Sequence, residues 1–95
     1  MAVLVHEIWL DPDEEGQLLP ACILAGPMGD DARRLLGPEA KLHSTFEAWS
    51  HFEAMTIYYR IFDRGAYQTD QEWDRQPYPD AWLDVQRTQR PLSGR

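Results

Sequence analysis

The opening segment of the chain restricts the fold more than any other part of the sequence. Residues Ala2–Leu10 (AVLVHEIWL) are rich in β-branched and aromatic side chains and contain neither Gly nor Pro, which is typical of a β-strand. Alternate residues of a strand point to opposite faces, and both faces of this one are mainly apolar. We therefore expect this strand to be central in a sheet or covered on both sides.

The next two segments provide a neighbouring strand. Residues Asp11–Gly16 (DPDEEG) are typical of a turn, because Pro fixes φ and Gly permits a positive φ. Residues Gln17–Ala25 are then predicted to form the return strand of a hairpin. Since Pro20 has no N–H to donate, we expect this strand to lie at the edge of the sheet or to bulge at that point.

A short helix is predicted after the hairpin. Residues Gly26–Gly29 (GPMG) interrupt the strand pattern, and Asp30–Leu36 follow as a helical segment. Asp30 or Asp31 would be the N-cap, and acidic residues there interact favourably with the helix dipole. Gly37–Pro38 would end this helix.

Residues 38–64 allow two interpretations, one long helix or a strand followed by a helix. On a helical wheel the apolar residues of this segment fall on every side, which does not suit a surface helix of a small domain. Ala40–Ala48 alternates with a period of two, as a strand does. Ser50-x-x-Glu53 has the pattern of a capping box, which would begin a helix over His51–Asp63. We favour the strand followed by the helix.

The predicted helix has more apolar and aromatic surface than one core-facing stripe requires. We expect Phe52, Met55, Tyr59 and Phe62 to face the core, and Tyr58 to point away from it.

The C-terminal part is polar but contains regularly spaced aromatic residues. Ala66–Pro79 is predicted to be an ordered segment held by Tyr67, Trp73 and Tyr78, because aromatic rings bury a large apolar area. Asp80–Gln89 is predicted to form one or two helical turns with Trp82 and Val85 facing inward.

These segments together predict a single α+β domain over residues 1–89 and a frayed C-terminal tail over residues 90–95. The elements follow the order ββαβα. The strands form a three-stranded mixed or antiparallel sheet, and the main helix packs on one of its faces. Aromatic side chains hold the C-terminal tail against this core. A sheet this small leaves strand edges open, and we expect a homodimer through such an edge to be one available assembly.

The acidic excess of the chain lies in its first third. The sequence has 9 Lys and Arg against 16 Asp and Glu, a formal net charge of −7. Seven of the carboxylates precede Ala32, in a part of the chain that contains no Lys or Arg. The remaining nine carboxylates are balanced by the nine Lys and Arg residues that follow. Nucleic acids and anionic membranes bind basic surfaces, so we expect neither as a partner.

Cysteine content and hydropathy predict the compartment. Cys22 is the only cysteine, so it cannot form an internal disulfide, as is usual in a reducing environment. The apolar run at the start is too short for a signal peptide, and no stretch approaches the ~20 apolar residues of a membrane span. We therefore expect a cytoplasmic protein.

Three histidines and the neighbouring glutamates are the candidates for acid–base or metal chemistry. The sequence has none of the common zinc-binding spacings, so we predict no metal site and no cofactor. We favour the interpretation that these are ordinary hydrogen-bonded or partly exposed residues, with acid–base catalysis as the alternative. The candidate catalytic residues are His51, Glu7, His6, His43 and Glu47.

Two of these candidates have a specific physical argument. His51 would lie in the first turn of the second helix, where a neutral imidazole could act as a base or simply pack. Glu7 lies within an otherwise apolar strand and would require a partner, for which Arg60, Lys41 or a histidine is available.

Two functional hypotheses follow. The first is a small acidic cytosolic protein–protein interaction module (an adaptor, an inhibitor or an immunity-type protein) without catalytic activity, whose partner is another protein. Its expected partner-binding residues are Tyr58, Trp73, Trp82, Asp13, Glu14 and Glu15. The second is a small enzyme or ligand-binding protein with a His/Glu pocket between sheet and helix. Burial of Tyr58, Trp73 and Trp82 by the tail would remove most of the support for the first hypothesis. The second predicts that His and Glu side chains converge around a concave apolar site.

Overall fold

The structure is a computed structural model that describes residues 2–93, with side chains described for residues 2–87. Within that range it confirms the predicted α+β fold, and residues Lys41–Ala48 form a strand rather than part of a long helix. The strands are β1 (Leu4–Pro12), β2 (Leu18–Leu24) and β3 (Lys41–Ala48); the α-helices are α1 (Asp30–Arg34), α2 (His51–Ile61) and α3 (Asp80–Ser93); 3-10 helices span Pro27–Gly29 and Glu72–Arg75.

The first strand is central, as its two apolar faces predicted. The strand order is β2-β1-β3, and β1 pairs antiparallel with both neighbours. The strand that contains Pro20 lies at an edge of the sheet, where a residue without an N–H breaks no ladder hydrogen bond. The ladder between β1 and β3 shifts register at Ile8 and Trp9, and this shift leaves His43 without a partner residue on β1.

Helix α2 covers one face of the sheet, which we call the His6 face. On this face Leu4, His6 and Ile8 are buried, and α2 contributes buried Ala54 and Tyr58. The expectation that Tyr58 points away from the core is therefore wrong. Its ring packs into the core, and its hydroxyl donates to the carbonyl of Pro20 at 3.2 Å, which satisfies the polar end of the side chain.

The other residues expected in the core stripe, Phe52, Met55, Tyr59 and Phe62, are only half-buried.

The predicted capping box begins α2. The hydroxyl of Ser50 accepts a hydrogen bond from the N–H of Glu53 at 3.0 Å, and the Glu53 carboxylate accepts from the N–H of Trp49 at 2.8 Å. In a standard capping box the Glu53 carboxylate would accept from the N–H of the N-cap, Ser50. Here it accepts from the N–H of Trp49, the residue before the N-cap. Helix α2 ends where Asp63 and Gly65 take positive φ values of 53° and 84°.

The N-cap of α1 is Gly29 and not an aspartate. A Cβ at this position would lie 1.9 Å from the carbonyl oxygen of Leu24, so only glycine allows the chain to turn this close to β2. Asp30 and Asp31 occupy the first turn instead, where they still interact favourably with the helix dipole.

Helix α3 is longer than predicted and presents a different face to the core. It extends to Ser93, into residues expected to fray, and residues 94 and 95 lie outside the described residues. Trp82 and Val85 were predicted to face inward, but they are 40% and 42% exposed, whereas Gln86 is buried. A polar residue thus takes the core position of this helix.

Gln86 is buried because its amide completes the sheet where β2 ends. Its oxygen accepts from the N–H of Val5 at 2.8 Å, and its nitrogen donates to the carbonyls of Val5 and Ala25, each at 3.0 Å. A side-chain amide has the same donor and acceptor groups as a peptide unit, so it can take a place in the backbone ladder.

We expect Gln86→Leu to lower the free energy of unfolding by about 2–4 kcal/mol. The substitution leaves the buried N–H of Val5 and carbonyl of Ala25 without these partners, and each such group costs roughly 1–3 kcal/mol. Urea denaturation followed by circular dichroism measures the change. The same substitution at exposed Gln68 is the control, expected within about 0.5 kcal/mol of the wild type. Equal losses in the two variants would contradict the role assigned to Gln86.

Candidate functional site

A groove of about 490 Å³ opens between the His6 face of the sheet and the segments that precede α1 and α3. Its lining is mainly apolar and aromatic, the usual character of a binding site. One side is formed by β2 and the region of α1, and the other by the start of α2 and the chain from the second 3-10 helix to α3. The lining includes His6, Cys22, Met28, His51, Met55, Trp73, Tyr78 and Trp82.

Two aromatic pairs form one wall of the groove. His51 stacks on Trp73 with ring centroids 5.7 Å apart, and Tyr78 stacks on Trp82 at the same separation. Each tryptophan still exposes a large fraction of its surface, 62% for Trp73 and 40% for Trp82. The C-terminal segment therefore leaves two large rings accessible to a binding partner.

A neutral histidine and a tyrosine meet within the groove. The ring nitrogen Nδ1 of His6 must donate to the carbonyl of Leu4 at 3.0 Å, because a carbonyl can only accept. In the neutral ring Nε2 is then an acceptor, so the hydroxyl of Tyr78 donates to it at 2.8 Å. The ring of His6 also stacks on Phe46 with centroids 5.0 Å apart. Both nitrogens of His6 thus have partners within the protein.

Burial keeps this pair uncharged. It lowers the pKa of His6 to about 4, the nearby charge of His51 adds to this effect, and the Leu4 carbonyl and Glu53 oppose it. Burial likewise raises the pKa of Tyr78. At neutral pH the pair is therefore a hydrogen-bonded, uncharged polar feature of the groove.

Cys22 provides a thiol to the groove but not an activated one. Burial raises its pKa to about 11. Since the thiolate is the nucleophilic form, this cysteine is nearly all unreactive thiol at neutral pH.

A second polar cluster ties together residues of the segment before α3. Asp74 is buried, and its Oδ2 accepts from the hydroxyl of Tyr67 at 2.7 Å. Burial alone would raise the pKa of Asp74, but hydrogen bonds from Tyr67 and Thr69, with the charge of His51, bring the net shift downward. Its Oδ1 has no hydrogen-bond partner among the described residues. Asp74 thereby fixes the position of Trp73, the residue that precedes it in the chain.

Aromatic contacts attach this segment to α2. Tyr67 packs edge-on against Phe52 and Tyr59 with centroid separations of 5.7 and 5.3 Å. The guanidinium of Arg75 lies 4.8 Å from the centroid of the Phe52 ring. The N–H of Tyr78 donates to the carbonyl of Trp49 at 2.9 Å.

The structure brings together only two of the five candidate catalytic residues. His6 and His51 both line the groove. Glu7 points to the opposite face, where Arg33 lies 2.8 Å and the indole N–H of Trp9 3.0 Å from its carboxylate. His43 and Glu47 are exposed on β3, outside the groove.

The prediction of which residue pairs with Glu7 is wrong. Arg60, Lys41 and the histidines were the candidates, but Arg33 reaches Glu7 from α1 while also donating to the carbonyl of Leu24 at 2.9 Å. The sequence separation of 26 residues gave no local signal for this pair.

The acidic hairpin tip lies apart from the groove. Asp13 serves the turn itself, because its Oδ1 accepts from the N–H groups of Glu15 and Gln17, each at 2.9 Å. Glu14 and Glu15 are exposed. Their carboxylates can contribute to the long-range field of the protein.

The residues that build the site but were not among the predicted site residues include Met28, Asp74 and Tyr78. Tyr78 alone had a usable signal, since it lies between Pro77 and Pro79 and prolines favour an extended, well-defined backbone. In the described part of the chain, no group of three or more His, Cys, Asp or Glu residues is placed to hold a metal ion. None of the described helices has the length and hydropathy needed to cross a membrane.

We expect the stability of the protein to fall between pH 6.5 and pH 4 because of His6. The unfolded chain binds a proton at this residue near pH 6.5, whereas the folded chain does so only at about 4, so acid favours the unfolded state in this interval. The difference corresponds to about 3 kcal/mol, present above pH 6.5 and lost as the pH falls toward 4.

The free energy of unfolding measured against pH for wild type and His6→Gln tests this expectation. Other titrating groups are common to both proteins, so the wild-type value should drop by about 3 kcal/mol more than that of the variant. Parallel curves would show that His6 is not held neutral by the fold.

Comparison with known proteins gives no relative for this chain: no family model, no curated protein and no solved structure matches it.

Proposed function

We propose that this chain is a protein–protein interaction module whose groove receives apolar side chains from a basic segment of a partner protein. The observation that supports this most directly is the exposure of Trp73 and Trp82 at an apolar groove. Large exposed aromatic rings beside an apolar concavity are typical of interaction hot spots, because a partner that covers them releases much ordered water.

The groove suits side chains of varied shape. Met28 and Met55 line it together with the aromatic rings. Methionine is unbranched and polarisable, so it adapts to different apolar side chains, and it is common on surfaces that bind peptides. Tyr78 offers a polar oxygen for orientation of a bound segment.

Charge around the groove favours a basic partner. Residues 70–87 contain five carboxylates and two arginines, a balance of 2 − 5 = −3. Exposed Glu72, Asp80 and Asp84 lie within two residues of the tryptophans in sequence. Long-range attraction from the acidic hairpin tip, Asp13, Glu14 and Glu15, would speed the encounter without touching the bound segment.

Catalysis by the same groove is the second candidate function, and it has less support. His51 lies at the groove beside His6, as a His-based site requires. However, both nitrogens of His6 are engaged, and the thiol of Cys22 is held in its unreactive form. Glu7, His43 and Glu47 lie outside the groove, so no carboxylate from the predicted set is available to assist His51.

We also propose that the protein is located in the cytosol. The one cysteine has no second cysteine to pair with, as is common in proteins of reducing compartments.

Titration with three synthetic helical peptides tests the proposed function. One peptide is built from Leu and Lys, the second replaces Lys by Glu, and the third replaces Leu by Ala. We expect only the Leu/Lys peptide to bind well, shifting the indole NMR signals of Trp73 and Trp82, because it supplies both apolar anchors and positive charge. Its affinity should also fall as salt is raised.

Paired variants locate the binding. Trp82→Ala is expected to weaken binding of the Leu/Lys peptide by about 10-fold or more. Leu42→Ala removes an apolar side chain that is 49% exposed on β3, outside the groove, and should leave affinity unchanged. The proposal fails if the Leu/Lys peptide does not bind, if the Ala/Lys peptide binds as tightly, or if the two variants lose affinity equally.

A further inference from the structure

The groove contains a buried polar pair whose hydrogen-bonding direction is fixed. His6 is buried, and its Nδ1–H donates to the carbonyl of Leu4, so Nε2 must accept from the hydroxyl of Tyr78. Because burial lowers the pKa of His6 to about 4, the ring is neutral and Nε2 remains an acceptor at neutral pH. The single hydrogen of the Tyr78 hydroxyl is therefore used within the protein. Its oxygen can still accept a hydrogen bond from a ligand but cannot donate one.

The wall of the groove beside Tyr78 also lacks free backbone donors. Pro77 and Pro79 have no N–H. The N–H of Tyr78 donates to the carbonyl of Trp49 at 2.9 Å, and the N–H of Gln76 donates into the preceding 3-10 helix at 3.1 Å. Along these four residues of the wall, each backbone N–H is thus absent or already bonded. A group bound against them finds acceptors but no backbone donor.

The groove offers no counter-charge to a buried cation. None of the described residues that line it is Asp or Glu. An ammonium or guanidinium group held there would lose its hydration without meeting an opposite charge. An aromatic ring would instead pack against the aromatic wall and contact the thioethers of Met28 and Met55. The lining therefore favours a neutral aromatic side chain that carries a hydrogen-bond donor.

We propose that the groove receives a tryptophan side chain of the partner segment, whose indole N–H donates to the hydroxyl oxygen of Tyr78. This inference rests on the proposed function and names the residue that anchors the segment. Among neutral polar side chains only the indole donates without also accepting, so it leaves no polar atom unsatisfied in the groove. A volume of about 490 Å³ is within the range of sites that hold small aromatic ligands.

Three fragments of similar size test the donor requirement on the wild-type protein. Indole has the N–H, 1-methylindole has a methyl group in place of its hydrogen, and benzofuran has an oxygen in place of the N–H. NMR titration should show that indole binds about 5-fold or more tightly than either of the others, because only indole can donate to Tyr78. Long-range 1H–15N spectra of the histidine rings should place the proton of His6 on Nδ1.

A matched pair of variants tests the role of His6. In His6→Phe the ring can still stack on Phe46 but cannot accept, so the hydroxyl of Tyr78 becomes free to donate. Benzofuran should then bind within about 2-fold of indole. His43→Phe makes the same change at an exposed residue outside the groove and should keep the wild-type ratio of affinities. Circular dichroism verifies that both variants are folded.

A peptide pair tests whether the indole comes from a protein segment. One Leu of the Leu/Lys peptide is replaced by Trp in the first peptide and by 1-methyltryptophan in the second, and the first should bind about 5-fold more tightly. Equal affinities of this pair, equal affinities of the wild type for indole and benzofuran, a proton on Nε2 of His6, or an unchanged ratio in His6→Phe would overturn the inference. The original Leu/Lys peptide contains no Trp and tests the proposed function alone, so the two failures are distinguishable.

Discussion

The architecture depends on how the central strand satisfies two polar residues that point to opposite faces. His6 and Glu7 are neighbours on β1, where both faces are otherwise mainly apolar. A buried polar group without a partner is costly, so each face must receive a partner from elsewhere in the chain. Tyr78 serves His6 on the α2 side, and Arg33 serves Glu7 on the other. These two contacts hold α1 and the segment before α3 against the sheet. The groove lies between these two elements, on the His6 face.

The attachment of α3 explains why the groove stays open. Gln86 is fixed in the ladder beside Val5 and Ala25, and this sets both the position and the rotation of the helix. Trp82 lies one helical turn earlier on the same side, so it projects over the groove, where it stacks on Tyr78. Tyr67, which is hydrogen-bonded to Asp74, and Arg75 both pack on Phe52 and so hold the preceding segment to α2. Polar contacts therefore position the tail, and its tryptophans are left without a buried site of their own.

Elements set by neighbouring residues were predictable, and contacts between distant residues were not. The hairpin, the strand Lys41–Ala48 and the start of α2 follow from alternation, turn residues and the Ser50 capping box, all of which act over a few positions. Gln86 joins Val5 across 81 residues, and nothing in its surroundings separates it from an exposed glutamine. His6 and His51 likewise come together only because β1 pairs antiparallel with β3, the strand that leads into α2. Trp82 and Val85 were assigned to the core because apolar residues usually occupy it, a rule that the ladder position of Gln86 overrides.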